Sequence, residues 1–292
     1  MRLGDICTIK YGKDHKKLND GDIPLYGSGG VMRHVEKALW SKPSVLIPRK
    51  GTLGNLFFVN KPFWTVDTCF WTDIDEEQVL PEYLFYQLKT KDLASLNVGT
   101  AVPSLTTDVL NEVQIDLPSL EKQKQVVEML GSLDSKIEIN TQLNGYLLEL
   151  ASTIFKTWFM NDDARYSTNK VAISEIAVIN AGGDKPNVCQ KTPSNKCPVP
   201  VYSNGTDNEG LYGYTSMAKV TEPSVTVSAR GTIGFTCLRH QPYYPIVRLI
   251  SATPKEGITV EYLYLWLRNK MITGVGTTQQ QLTVPMFKKY EI

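Results

Sequence analysis

Two stretches carry residues able to hold an anion: Arg49-Lys50-Gly51-Thr52-Leu53-Gly54-Asn55 and Ala229-Arg230-Gly231-Thr232-Ile233-Gly234-Phe235. Each sets a cation beside Gly-Thr and a second glycine, directly after a Pro-Ser-Val strand pattern. Glycines let backbone N–H groups approach a phosphate closely, and the cation adds charge. A nucleotide site is the sharpest reading, and it fails on spacing. Neither G-x-x-x-x-G-K-[ST] nor G-x-G-x-x-G occurs in the chain. Nucleophilic catalysis finds no G-x-S-x-G elbow, and none of His15, His34 and His240 recurs in the other half of the chain. Asn60-Lys61-Pro62-Phe63 departs from the Asn-Pro-Pro-aromatic motif of amino-methyltransferases at Lys61. Cys7, Cys69, Cys189, Cys197 and Cys237 form no C-x-x-C pair, which speaks for reduced, buried thiols and against zinc. Asp73, Asp75, Glu76 and Glu77 read as a solvated turn before a helix.

The elements that position the two Gly-Thr loops are themselves written twice. "LGDICTIKYG" from residue 3 matches "ISEIAVINAG" from 173, and "IPLYGSGG" from 23 matches "VPVYSNGT" from 199. "PEYLFYQL" from 81 then matches "VEYLYLWL" from 260, and "GTAVPSLT" (99–106) matches "GTTQQQLT" (276–283). Five landmarks in one order, at offsets of 170 to 180, indicate a duplicated domain. Within each copy, short β-branched runs alternate with Gly, Pro and Asn turn signals, and one short helical pattern opens at Pro81 or Val260. The fold class is α+β: two repeated β-rich domains, residues 1–117 and 161–292, joined by a helix over 118–160.

The joining segment contains no proline from 119 to 159, and its apolar residues keep a heptad. The a series is Leu130, Ile137, Asn144, Ala151, Trp158; the d series is Val126, Leu133, Asn140, Leu147, Ile154. Eight apolar seam positions of ten predict a long coiled-coil-type helix, about 58 Å over 121–159, that needs a partner. Asn140 and Asn144 would fix its register, or else lie where the seam opens to solvent.

Net charge is +1 and uneven: 13 basic against 15 acidic residues in 1–117, 4 against 5 in 118–160, and 14 against 10 in 161–292. No apolar run reaches the ~18 residues of a membrane span, and "MRLGDICTIK" lacks a signal-peptide core, so a cytoplasmic chain without membrane partners is expected.

This layout resembles the DNA-specificity (S) subunit of type I restriction–modification enzymes. Leu117, Pro118, Leu120 and Gln123 match the family's Leu-Pro-x-Leu-x-x-Gln helix opening, and Leu133 to Asn140 match its Leu-Asp-x-Lys-Ile-x-x-Asn pattern. The resemblance implies that each repeat is a target-recognition domain reading half of a bipartite site in double-stranded DNA. The chain itself would be non-catalytic and bind no cofactor. Methyltransferase (modification) subunits would carry adenosylmethionine, and a restriction/translocase subunit would use ATP and Mg. The helix would be spacer and docking surface, through Leu130, Leu133, Ile137, Asn140, Asn144, Leu147, Ile154 and Trp158. A rod of this length would separate half-sites by about one turn of DNA.

On that reading, Lys13, Lys16 and Lys17 suit phosphates, as do Arg49, Lys50, Lys185, Lys191 and Arg230. Ser28 and Arg33, the latter a candidate guanine reader, lie in the first domain's turn region; Asn187, Asn204 and Asn208 lie in the second, the last two candidates for adenine. The loops bearing them diverge between copies, as readers of different half-sites should. One departure is that the family's second long helix, after the second domain, has no counterpart before Ile292. A dimer in which each central helix partners the other is one expectation; a shortened chain is the other. The alternative function is a non-catalytic ligand-binding scaffold, two modules on a coiled-coil spacer.

Overall fold

The computed structural model describes residues 1–99, 102–161, 170–274 and 280–292. Of the fifth repeated landmark, residues 100, 101 and 276–279 lie outside the described residues. Two compact units, Met1–Asn140 and Thr141–Ile292, divide within one long helix.

In the first unit, α1 (Leu3–Ile6) leads into β1 (Cys7–Tyr11), followed by β2 (Ile23–Gly27), β3 (Gly30–Val35), β4 (Ser44–Pro48), β5 (Phe57–Val59), β6 (Trp64–Thr65) and β7 (Cys69–Ile74). An antiparallel sheet runs β1-β7-β4-β5, with Leu46 opposite Trp71 and Lys10 opposite Trp71 on its other side. A second sheet, β3-β2-β6, joins a hairpin to a short parallel strand. All five residues of β4 are buried, because it is covered on both faces. Val45 and Ile47 face a core with Leu3, Ile6, Phe70 and the helix α2 (Pro81–Lys89), whose Leu84 and Leu88 are fully buried. On the opposite face Leu46, Val59, Phe63 and Trp71 pack against Tyr26 and Trp40 of the second layer. The unit is therefore a helix layer, a four-stranded sheet and a three-stranded sheet, closed by the short α3 (Thr107–Asn111).

The second unit repeats this strand for strand. After α5 (Ile173–Ile176) come β8 (Ala177–Ala181), β9 (Val199–Tyr202), β10 (Leu211–Thr215), β11 (Ser224–Ser228), β12 (Thr236–Arg239), β13 (Tyr244–Pro245) and β14 (Leu249–Pro254). The sheets run β12-β11-β14-β8 and β10-β9-β13, with the same directions as their counterparts. Helix α6 (Val260–Asn269) supplies Leu263, Trp266 and Leu267 to a core with Val225, Val227 and Ile250, and α7 (Val284–Phe287) closes it. The duplication read from five landmarks is thus a duplication of topology.

The chain between them forms α4 (Leu120–Phe155), 36 residues or about 54 Å, continued by a π-helical turn at Lys156–Met160. Neither Gly131 nor Gly145 interrupts it. In the first unit it is seated by Gln123, which is fully buried, and by Val127. The Tyr86 hydroxyl donates to Asp134 Oδ2 at 2.8 Å, and burial first, then that carboxylate, pushes its pKa up to about 12. In the second unit Phe155 is buried, and its ring meets Tyr262 at 5.2 Å. The heptad seam lies off these seats. Val126, Leu133, Ile137, Leu147, Ile154 and Trp158 are between 37% and 64% exposed, Asn140 and Asn144 are exposed, and Leu130 is half-buried. The seam is therefore a solvent-facing apolar stripe within each unit.

Candidate nucleic-acid interface

In both units a glycine ends the first strand and aims the next loop. A Cβ on Gly12 would lie 2.0 Å from the Val66 carbonyl oxygen, and one on Gly182 would lie 2.1 Å from that of Ile246. Gly12 N–H donates to Cys69 O and Gly182 N–H to Leu249 O, so the two loops leave equivalent places. Beyond that point they are held differently. In the first unit Arg33, on β3, donates Nη1 to Asp20 (2.7 Å) and Nη2 to the carbonyls of His15 and Leu18 (3.0 Å each). That clamp, with Asn19 held by Glu36, fixes the loop and leaves Lys13, Lys16 and Lys17 exposed. In the second unit the loop is tied by backbone: Gln190 and Tyr214 exchange N–H···O bonds of 2.9 and 2.8 Å. Gly213 permits this, since a Cβ there would be 2.5 Å from Gln190 O. The ammonium groups of Lys185 and Lys191 lie 5.1 and 5.0 Å from the Tyr212 ring centroid, and Asn187 is exposed.

The hairpin turns and the Gly-Thr loops are bound to each other. In the first unit β2 and β3 connect through Ser28 and Gly29, and Asn55 Nδ2 donates to Ser28 O at 3.0 Å. In the second, β9 and β10 connect through residues 203–210, and Asn204 Nδ2 donates to Arg230 O at 2.8 Å. Ser228 and Thr232 hydroxyls donate to Asn204 O. Gly51 and Gly231 take φ of +88° and +75°, which turns each Gly-Thr loop back to bridge Lys50 with Ser104 and Arg230 with Gln281. Arg49 Nη1 donates to Asp67 O, and its guanidinium lies 5.3 Å from the Tyr11 ring. Lys50 is exposed and Arg230 half-buried.

Three of the expected contact residues are tied to neighbouring loops, and one of them, Arg33, sits differently from the sequence expectation. Arg33 has both terminal nitrogens engaged inside its own loop, so the two-donor face a guanine would need is occupied. Asn204 spends one of its two amide N–H groups on Arg230 O, which ties its amide to the Gly-Thr loop. Arg49 places one donor on Asp67 O, in the turn between β6 and β7. Asn208, by contrast, is exposed, in a left-handed backbone conformation at φ +48°.

The layer between the two sheets separates the units chemically. Positions 46, 59 and 71 carry Leu, Val and Trp in the first unit, and the equivalent positions 226, 239 and 251 carry Thr, Arg and Ser. Arg239 is 6% exposed and donates Nε to Thr226 Oγ1, Nη1 to Glu209 Oε2 and Nη2 to Glu209 O. Two residues escaped the reading of the sequence as structural anchors. Gln123 was visible only as part of a motif. Arg239 had one local signal, a charge at an inward position of a strand otherwise reading Thr-Cys-Leu.

A family model described as the type I restriction modification DNA specificity domain matches residues 1–148 and 167–292. A putative type I specificity subunit of Mycoplasma pneumoniae is 27% identical over 306 residues, covering 100% of this chain and 83% of that protein. A second from the same organism is 30% identical over 255 residues, covering 82% and 75%. The HindI specificity subunit of Haemophilus influenzae is 24% identical over 310 residues, covering 73% and 67%. Among solved structures, the type I restriction–modification S subunit from M. genitalium superposes with a TM-score of 0.59 at 14% identity, covering 100% of this chain and 83% of that one. At that identity the likeness concerns the fold alone.

Proposed function

The chain belongs to the type I restriction–modification DNA specificity family, and from that premise we propose that it recognises a bipartite DNA target and directs modification and restriction subunits to it. Residues 1–117 and 161–292 would each read one half-site, with 118–160 as spacer helix. The observation that carries this reading is the pairing of one topology with two loop sets. The sheets agree strand for strand, while the segments after the first strand and at the first hairpin turn differ in length, sequence and bracing. A conserved frame with divergent loops at equivalent places is what two readers of different sequences require.

Phosphate contacts fall to the exposed Lys13, Lys16, Lys17 and Lys50 of the first unit and to Lys185 and Lys191 of the second. Ser28, Asn187, Asn208 and Arg230 are further candidates for DNA contact. Arg33 acts on the loop rather than on a base, while Arg49 is a further candidate for phosphate and Asn204 for adenine. The exposed apolar stripe of α4 suits a modification subunit, with a second copy of this chain as the competing occupant; light scattering of the chain alone separates the two. Methyl transfer and ATP-driven steps, with adenosylmethionine, ATP and Mg, are assigned to the partner subunits, and the complex to the cytoplasm. No helix among the described residues is long and apolar enough to cross a membrane.

The test is to map methylated adenines in DNA modified by the reconstituted complex. Two short specified stretches flanking unspecified bases are expected. A single continuous motif would overturn the two-reader scheme.

A further inference from the structure

We propose that Arg239 is the positioning residue for half-site preference in the second recognition domain: it holds the β9–β10 loop in a backbone shape that the loop's own residues disfavour. This rests on the reading above that the loop faces DNA. Asn208, Glu209 and Gly210 take three successive positive φ values of 48°, 54° and 81°. Glycine adopts such angles freely, and asparagine tolerates them. Glutamate disfavours them, so an external restraint at residue 209 offsets a conformational cost.

Arg239 is that restraint. Its Nη2 donates to the Glu209 carbonyl at 2.6 Å and its Nη1 to the Glu209 carboxylate at 3.0 Å, while Nε is anchored on Thr226 Oγ1 at 3.2 Å. The guanidinium also lies 3.6 Å from the Tyr202 ring centroid. The Arg239 side chain is 5% exposed, whereas that of Glu209 is 70% exposed. The half of the clamp made through the carboxylate is therefore solvent-screened, and the bond to the carbonyl is the firm one. A guanidinium so buried does not reach a phosphate. It acts through the loop, whose exposed Asn208 adjoins the clamped residue.

The comparison with the first unit shows that the clamp and the long loop go together. There the hairpin turn is two residues, Ser28 and Gly29, and the equivalent interior positions hold Val59, Leu46 and Trp71. A short turn needs no clamp, and the equivalent interior positions are apolar. A lysine could not replace Arg239, because one ammonium cannot present three donors in a fixed plane.

The experiment uses the full 292-residue chain, as wild type, Arg239→Met, Arg239→Lys and Glu209→Pro. Hydrogen exchange is followed at the amides of Ser203 and Glu209, which donate to Gly210 O and Thr206 O. In parallel, competition binding to duplex libraries scores each half-site separately. Arg239→Met and Arg239→Lys are expected to raise exchange at Ser203 and Glu209 at least tenfold. They should flatten base preference at one half-site by about tenfold, leaving the other half-site and affinity for random duplex within twofold. Glu209→Pro forbids a positive φ and also removes the Glu209 N–H that donates to Thr206 O, so, read by exchange at Ser203 and by base preference, it should reproduce the same loss if buried Arg239 variants fail to fold. Unchanged exchange in a folded Arg239→Met chain, flattening of both half-sites alike, or a Glu209→Pro chain with intact preference each overturn the proposal. A wild-type chain with no half-site preference would remove the DNA reading and Arg239's role in specificity with it, while the exchange data would still decide whether the clamp holds the loop.

Discussion

Gln123 is the residue whose loss should do most to the first unit for its size. It is fully buried, and all of its amide is in use. Oε1 accepts from the Leu80 N–H at 2.9 Å, and Nε2 donates to the carbonyls of Pro118 at 2.9 Å and Gln78 at 3.1 Å. Leu80 is the N-cap of α2 and has no side-chain acceptor of its own, so a residue of α4 supplies what a capping box would. In Gln123→Leu the volume is kept and all three bonds are lost, leaving one N–H and two carbonyls dry. At a net ~1 kcal/mol per bond plus the penalty for stranded groups, the expected destabilisation is about 3–5 kcal/mol. For a unit of this size that lowers the melting temperature by roughly 10–17 °C. Gln123→Glu keeps the acceptor for Leu80 but turns a carboxylate toward two carbonyls. It should be worse than Gln123→Leu at pH 7 and recover as the acid is protonated. Tryptophan fluorescence during urea unfolding, with Trp40, Trp64 and Trp71 all in the first unit, reads the effect. A Gln123→Leu chain within about 1 kcal/mol of wild type would refute the reasoning.

Gly182→Ala should destabilise the second unit by about 3 kcal/mol in urea, because the new Cβ would meet the Ile246 carbonyl at 2.1 Å. Gly145→Ala should do the reverse, raising the stability of α4 by up to about 1 kcal/mol, since nothing lies within 4 Å of the added carbon. Arg33→Ala should speed hydrogen exchange at Leu18 and weaken base preference at the first unit's half-site only; a protected loop in that variant would contradict the assigned clamp. The Tyr86 phenol, raised from 10.0 to about 12, is more protonated in the folded chain than in the unfolded one above pH 10. Its contribution is therefore intact below pH 10 and lost as pH rises through 12. The melting temperature should fall across that window, and Tyr86→Phe should flatten the slope.

The order of landmarks, the heptad stripe and the absence of catalytic spacings were all legible from the chain alone. They depend on local period and on repetition, and repetition survives divergence of side chains. The eight seam residues show the limit of that signal: period says which residues share a face, but only the packed unit shows that Gln123, Val127 and Phe155 seat the helix while the seam faces solvent. For the loops, residue type told less. Arg33 and Lys13 look alike as cations in a polar stretch, yet one guanidinium closes on Asp20 and two carbonyls while the ammonium stays in water. Asn204 and Asn208 look alike as amides, yet one braces Arg230, 26 residues away. Arg239 finds its partner 30 residues away across the layer between two sheets. Such choices are made by groups brought together only after the sheets stack, where a buried donor must be satisfied by whatever acceptor the tertiary fold delivers.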